Sequence, residues 1–158
     1  TMYPPHYIDT HVRNLMKPGV ACTFSLWSFI PDKRHSRLGL WLYECLRDLH
    51  LSIQAIKRPE LCVRGMTFGF NTELGRLFGF RTDIRRGEDG SLALAMKPYG
   101  RLIFITSRKA RALTSNSTID ADGSLARSFG VRLLKALKGA TGLLYKKTTY
   151  KDKDSNLL

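Results

Sequence analysis

The clearest periodicity in the chain is helical and follows Ser36. Apolar residues recur there at the i, i+3, i+4 and i+7 spacing of one helix face: Leu38, Trp41, Leu42, Cys45, Leu46 and Leu49. The spacing predicts a helix over Ser36–His50, and Ser36 is a suitable N-cap because its hydroxyl can accept a hydrogen bond from the first turn. We expect the apolar side to face the core. The charged side is expected to face solvent: Arg37, Glu44, Arg47 and Asp48.

Alternation and short apolar runs predict the strands. Val20–Ile30 alternates between two sets of side chains, and Leu51–Ile56 and Leu61–Phe70 are further β candidates. The runs Ser91–Met96 and Arg101–Ser107 are separated by a short Pro-Tyr-Gly turn. Short turns favour antiparallel pairing, because parallel strands need crossovers of about a dozen residues or more. These elements predict an α+β fold, with one antiparallel β-sheet and helices packed on it.

Composition along the chain predicts the domain boundaries. Residues 1–19 contain prolines and glycine and no apolar period, so we predict a flexible N-terminal arm. Residues 20–145 are predicted to form a single globular domain, which includes the polar loop Lys109–Gly123 and a second helix, Ser124–Lys138. Residues 146–158 are predicted to be a charged C-terminal tail.

The charge of the chain indicates its class of partner. There are 26 Lys and Arg against 13 Asp and Glu, a net charge of +13. Such an excess points to polyanions and carries no information on the fold. Basic clusters in predicted turns can reach phosphates without being buried, and we predict that they form a polyanion-binding surface: Lys33, Arg34, Arg37, Lys57, Arg58, Arg108, Lys109 and Arg111. Any one cluster is also typical of a solvated surface. Neither RRM-like aromatic interleaving nor a zinc-finger frame is present, so sequence-specific readout is not expected.

The C-terminal part carries a candidate membrane contact. A basic amphipathic helix can lie on an anionic membrane, and Ser124–Lys138 has this pattern. Membrane contact is predicted to use lysines of this helix and of the tail: Lys135, Lys138, Lys146 and Lys147. An apolar stripe beside a sheet is also the usual pattern of a core helix, and this alternative stays open. No apolar run approaches the roughly 18 residues of a membrane span.

The sequence shows no pattern of catalysis or of metal binding. The histidines are not at ligand spacing, and the common hydrolase, metalloprotease, P-loop and dinucleotide motifs are absent. We therefore expect no enzyme, no cofactor and no metal. Cys22, Cys45 and Cys62 are odd in number and lie among apolar neighbours, which predicts buried thiols in a reducing compartment.

A PPxY tetrapeptide, Pro4-Pro5-His6-Tyr7, lies in the predicted arm. Two prolines favour a polyproline II conformation, and the tyrosine ring can dock in the aromatic groove of a WW domain. Pro4, Pro5 and Tyr7 are therefore candidate WW-domain contacts. A motif this short also arises by chance.

Together these features resemble the matrix proteins of rhabdoviruses, those of plant-infecting members included. Members of that family are small and strongly basic, with a PPxY or similar motif in a flexible arm before one α+β domain. A strand at Thr23–Ile30, the helix Ser36–His50, and Lys57-Arg58-Pro59 leading into Leu61–Phe70 follow the family's order of elements. The resemblance covers about residues 1–110.

The resemblance implies a non-enzymatic structural protein of the virion, located beneath the envelope and, in the host, in the cytoplasm and at the inner membrane surface. Such a protein binds the viral nucleocapsid and anionic membrane, forms homo-oligomers, condenses the nucleocapsid and drives assembly and budding. The PPxY motif would then recruit host WW-domain proteins. The alternative from charge alone is a soluble nucleic-acid-binding protein without sequence specificity.

Overall fold

The computed structural model describes residues 1–33, 35–84 and 87–116, together with 127 and 130. The elements follow the order α1 (Tyr7–Leu15), β1 (Val20–Ser25), β2 (Trp27–Phe29), α2 (Arg37–Lys57), β3 (Phe68–Phe70), α3 (Thr72–Phe78), α4 (Glu88–Met96), β4 (Arg101–Ile105) and β5 (Ala112–Thr114). Short 3-10 turns occur at Pro59–Cys62, Gly65–Thr67, Lys97–Tyr99 and Arg108–Ala110. The predicted α+β class is confirmed.

The sheet is mixed, and the prediction of an antiparallel sheet was wrong. β1 lies between β3, which is antiparallel to it, and β4, which is parallel. β2 follows β1 after Leu26 and pairs in parallel with β5. The two parallel pairs arise because α2, α3 and α4 form the crossover that parallel strands require. No hairpin joins Ser91–Met96 to β4, since Ser91–Met96 belongs to α4.

Three further strand and loop predictions need correction. Leu51–Ile56 forms the last turns of α2, so the helix predicted over Ser36–His50 is confirmed and runs to Lys57. Only the end of Leu61–Phe70 is a strand, β3. The predicted loop Lys109–Gly123 contains β5. Of the predicted helix Ser124–Lys138 only Arg127 and Gly130 are described, and both are helical; the tail 146–158 lies outside the described residues.

The N-terminal nineteen residues are not an unstructured arm. α1 contacts β1, β3 and the turn at Arg108–Ala110. Met2 forms an antiparallel bridge with Leu113, with N–O distances of 2.7 and 2.8 Å. The apolar residues at helical spacing here, Ile8, Val12 and Met16, are exposed, and Tyr7 and His11, which are polar aromatics, supply much of the inward side of the helix. The prediction of a flexible arm was therefore wrong over Tyr7–Leu15.

β1 is buried on both of its faces. His11 bonds Thr23 and Ser25, so α1 covers the face that these two side chains share. On the other face Phe24 stacks on Phe104 of the neighbouring strand, with 5.1 Å between the ring centroids. The largest fully buried apolar side chains of the core come from three parts of the chain: Cys22, Phe24, Cys62, Leu92 and Met96. β1 therefore lies in the core and contacts both α1 and α4.

Gly100 allows β4 to begin directly beside β1. The Arg101 N–H donates to the Gly19 carbonyl at 2.7 Å. A Cβ at position 100 would lie 2.9 Å from the Ala21 backbone nitrogen and 3.0 Å from the Gly19 carbonyl oxygen. Backbone atoms cannot give way as a flexible side chain can, so only glycine fits here without moving a strand.

Replacing Gly100 by alanine is expected to lower the free energy of unfolding by about 1–3 kcal/mol, the usual range for overpacking. The added methyl group pushes β4 away from β1 and weakens the central ladder. Urea denaturation followed by circular dichroism measures the change. A denaturation midpoint equal to that of the wild type would show that the strands accommodate the methyl group.

Candidate polyanion-binding surface

α2 turns Glu44, Arg47 and Asp48 towards the domain, which is the reverse of the prediction. Arg37 is exposed, as predicted. Glu44 accepts hydrogen bonds from the Phe29 N–H at 2.7 Å and from the Ser28 hydroxyl at 2.9 Å. Arg47 donates to the Trp27 carbonyl. These backbone groups point away from β5, so α2 side chains replace a neighbouring strand along the edge of β2.

The ionic side chains behind β2 form one group, which we call the β2-edge cluster: Glu44, Arg47, Asp48 and Arg111. Asp48 accepts from Arg47 at 2.7 Å and from Arg111 at 2.5 Å. Arg111 also donates to the Ser28 hydroxyl at 3.1 Å, and the Arg47 guanidinium lies 4.4 Å from the centroid of the Trp27 ring. Arg111 is thus held inside the fold by acids of its own chain. This geometry argues against its predicted role as a polyanion contact.

Five of the predicted polyanion contacts are exposed, and they lie at the start of α2, at its end and in the turn at Arg108–Ala110. Lys33, Arg37, Lys57, Arg108 and Lys109 are exposed. They do not form one patch, because the first two stand at the start of α2 and Lys57 at its end, roughly 30 Å further along a helix that rises 1.5 Å per residue.

Six other predicted contact residues are less exposed or lie outside the described residues. The Arg58 side chain is 17% exposed and lies 4.0 Å from Glu60, so it is partly withdrawn from the surface. Arg34 lies outside the described residues. So do all four predicted membrane lysines: Lys135, Lys138, Lys146 and Lys147.

Arg108 stands at the rim of a cavity of about 530 Å³. Met2, Trp41 and Leu113 provide apolar lining, and the acids of the β2-edge cluster lie at its polar part. Lys109 is next to Arg108 in the 3-10 turn, where its N–H donates to the Ser107 hydroxyl at 3.3 Å. The turn therefore presents two adjacent cations beside a concave, partly apolar surface.

The side chains predicted to be the core stripe of α2 are exposed. Leu38 is 73% exposed and Trp41 is 60% exposed, and Ile56 continues the stripe at 79%. We call this stripe the α2 apolar face, and its members are Leu38, Trp41, Leu42, Cys45, Leu46, Leu49, Ile53 and Ile56. Leu40, Tyr43 and Leu51 are the buried residues of the helix instead. Cys45 is therefore exposed, contrary to the prediction, while Cys22 and Cys62 are buried.

The PPxY motif is folded against the domain. Tyr7 starts α1, and its N–H donates to the Pro4 carbonyl at 3.0 Å. Its hydroxyl donates to the Met66 carbonyl at 3.3 Å, and its ring lies 4.5 Å from that of His11. Burial raises the pKa of Tyr7 to about 12. Docking in a WW groove would require Tyr7 to leave this position, and the predicted contact stays a prediction.

A histidine and a serine meet in the interior without forming a usable catalytic pair. His11 Nε2 lies 3.3 Å from the Ser25 hydroxyl, and its Nδ1 lies 2.8 Å from the Thr23 hydroxyl. Ser25 is 1% exposed, so no substrate can reach its oxygen. Burial also lowers the pKa of His11 to about 4. We assign the pair to the packing of α1 on β1. No group of metal-ligating side chains occurs among the described residues.

Comparisons with protein families, with curated proteins and with solved structures find no match to this chain. In the described part of the chain, no helix combines the length and the apolar character needed to cross a membrane.

Proposed function

We propose that this chain is a non-enzymatic matrix-type protein, which binds anionic membrane and ribonucleoprotein through exposed cations, self-associates, and condenses the nucleocapsid during assembly. The observation that carries the proposal is the different placement of the two charges. Six of the nine acids in the described residues contact basic side chains of the same chain, whereas cations stand exposed on turns and at helix ends.

The pairing of acids recurs across the described residues. Beside the β2-edge cluster, three acids have cationic partners: Asp9 with Arg13, Glu60 with Lys97, and Asp83 with Arg81. Asp32 lies 3.0 Å from the His35 ring. Glu60 is 1% exposed and lies 2.9 Å from Lys97. In the described part of the chain, an approaching polyanion therefore meets few acids that lack a basic partner, and the full sequence carries a net charge of +13.

Cations on short turns suit phosphate contacts that are independent of sequence. Arg108 and Lys109 are adjacent and exposed, and the backbone of their turn is hydrogen-bonded to the Ser107 hydroxyl. Such contacts position a protein on a phosphate backbone, and affinity then falls with added salt because counterions are released on binding. Several weak sites on an assembling protein add up through multivalency, which suits a matrix that covers a nucleocapsid or a membrane.

The test combines RNA binding with flotation of nuclease-treated protein on neutral and on anionic vesicles. We expect comparable affinity for single-stranded RNAs of different sequence, and flotation only with anionic vesicles, both weakening as salt rises. The double variant Arg108→Gln/Lys109→Gln is expected to bind RNA roughly 3–10-fold more weakly, with a salt dependence reduced by up to about two phosphate contacts.

Lys17→Gln/Arg76→Gln provides the control, since it removes the same charge from exposed positions outside the predicted surface. Equal losses in the two variants would mean that net charge alone matters and that the turn is no site. RNA binding without flotation on anionic vesicles would favour the soluble nucleic-acid-binding alternative. Failure to bind RNA and vesicles at low salt would overturn the proposal.

A further inference from the structure

The α2 apolar face is a surface of the described structure that the fold itself does not use. Its eight members follow helical spacing from Leu38 to Ile56, over a helix of 21 residues, which is about 31 Å long at 1.5 Å per residue. Leu49 and Ile53, in its middle, are 59% and 58% exposed. Ser52 is the one polar residue within the stripe, and no charged side chain interrupts it.

The contacts on the opposite side of α2 fix the rotation of the helix about its axis. Glu44 and Arg47 satisfy backbone groups of β2, and Leu40, Tyr43 and Leu51 are buried. Rotating α2 to bury the α2 apolar face would break those hydrogen bonds. Contiguous exposed apolar surface of this extent marks an interaction site in soluble proteins.

The charges around the face select its partner. Arg37 stands at one end of α2 and Lys57 at the other, and both are exposed. Arg108 lines the same cavity as Trp41 and Cys45, and Glu44 and Asp48 line its polar part. The acids of this helix, Glu44 and Asp48, are held in the β2-edge cluster. The face is therefore apolar along its length and cationic at its ends.

This arrangement disfavours two other occupants. A second copy of α2 would place a cationic end beside a cationic end in either orientation, at a cost in repulsion. Residues 117–158 of the same chain are basic as well, with eight Lys and Arg against four Asp and Glu. A flat anionic surface with an apolar interior suits both the apolar length of the face and its cationic ends.

We propose that the α2 apolar face lies in the headgroup region of an anionic lipid membrane, with its leucines, isoleucines and Trp41 in the acyl boundary and Arg37 and Lys57 beside lipid phosphates. Tryptophan is favoured at this depth, and an amphipathic helix binds there through its apolar area together with attraction to anionic lipid. The proposal rests on the membrane role proposed above, and it gives that role a surface distinct from the C-terminal lysines.

Cys45 is a native probe in the centre of this face. It is exposed, whereas burial raises the pKa of Cys22 and of Cys62 to about 12, so alkylation at neutral pH selects Cys45. We expect its alkylation rate in the full chain to fall at least tenfold on adding phosphatidylserine vesicles and to stay unchanged with phosphatidylcholine vesicles. A polarity-sensitive dye on Cys45 should shift its emission to the blue under the same conditions.

A triple variant, Leu42→Gln/Leu49→Gln/Ile53→Gln, tests the face without changing net charge. Glutamine forms helices well, so circular dichroism should be unchanged. Partitioning to phosphatidylserine vesicles is expected to fall at least tenfold. The control is Ile8→Gln/Met16→Gln on α1, where the side chains are 72% and 80% exposed, and its partitioning should stay within twofold of the wild type.

The outcomes separate the inference from the proposed function. Flotation on anionic vesicles with unchanged Cys45 alkylation would overturn this surface and leave the proposed function standing. Failure of the wild type to float would overturn both. Without vesicles, protection of Cys45 that depends on protein concentration would assign the face to a second copy, and protection independent of concentration to the chain's own remaining residues; either result overturns the proposal.

Discussion

Replacing Asp48 by alanine is expected to lower the free energy of unfolding by about 2–4 kcal/mol, because two guanidinium groups lose the carboxylate that they share. Asp48 accepts from Arg47 at 2.7 Å and from Arg111 at 2.5 Å. The side chains of Arg47 and Asp48 are 9% and 17% exposed, so water cannot fully replace the lost bonds. Urea denaturation of the variant and of the wild type measures the difference.

The matched control is Asp83→Ala, which removes an aspartate from the exposed pair with Arg81. There the two side chains are 43% and 59% exposed, and the expected loss is below about 1 kcal/mol. A loss in Asp48→Ala no larger than in this control would contradict the structural role of the β2-edge cluster. A double-mutant cycle with Arg111→Met would then show whether Arg111 and Asp48 are coupled at all.

The helix at Ser36 shows what spacing alone can and cannot predict. The Ser36 hydroxyl accepts from the Gly39 N–H at 2.9 Å, as an N-cap should, so the start of the helix was predictable. The inward side was not, because a period shows that one side differs from the other without showing which side is covered. The edge of β2 required hydrogen-bond partners, and Glu44 and Arg47 supplied them.

Two other elements were missed for different physical reasons. α4 is buried around much of its circumference, at Gly90, Leu92, Ala93 and Met96 among others, so no amphipathic period separates it from a short buried strand. α1 packs through Tyr7 and His11, whereas its apolar residues at helical spacing, Ile8, Val12 and Met16, are exposed, so the hydrophobicity pattern does not mark the packed side. β4 was predictable because its apolar run follows a turn and is short.

The candidate surface was predictable in its composition and less so in its geometry. Cations in turn-like segments were expected to be exposed, and Arg108 and Lys109 are. Arg111 is three residues further on and looks the same in sequence, but it meets Asp48, 63 positions away. Contacts of that separation depend on the tertiary fold, so local pattern could not tell the paired arginine from its exposed neighbours.

The charged and apolar sides of α2 have different roles, and this difference determines which side is available to partners. The β2-edge cluster uses the charged side of α2 to complete the sheet, and the apolar side is left outside as a consequence. One helix thus provides both an internal scaffold and an external surface. If membrane contact occurs there, the exposed turn at Arg108 and Lys109 lies beside Trp41 and can reach the same lipid headgroups.

The second large effect that we predict is a loss of stability at acidic pH, caused by His11. Burial lowers the pKa of His11 to about 4 in the folded chain, against about 6.5 in the unfolded chain. Between these values the unfolded state binds a proton that the folded state does not. The free energy of unfolding is therefore expected to hold its full value above pH 6.5 and to fall by about 3 kcal/mol as the pH drops to 4.

Comparison with His11→Gln isolates this effect from the carboxyl groups, which titrate alike in both proteins. Glutamine can still hydrogen-bond the hydroxyls that His11 contacts, Thr23 at 2.8 Å and Ser25 at 3.3 Å, but it cannot take up a proton. The difference in unfolding free energy between wild type and variant should stay constant above pH 7 and shift by about 3 kcal/mol in favour of the variant by pH 4. Parallel stability curves over that range would mean that His11 titrates freely in the folded chain, and that α1 does not seal it against β1 as the structure describes.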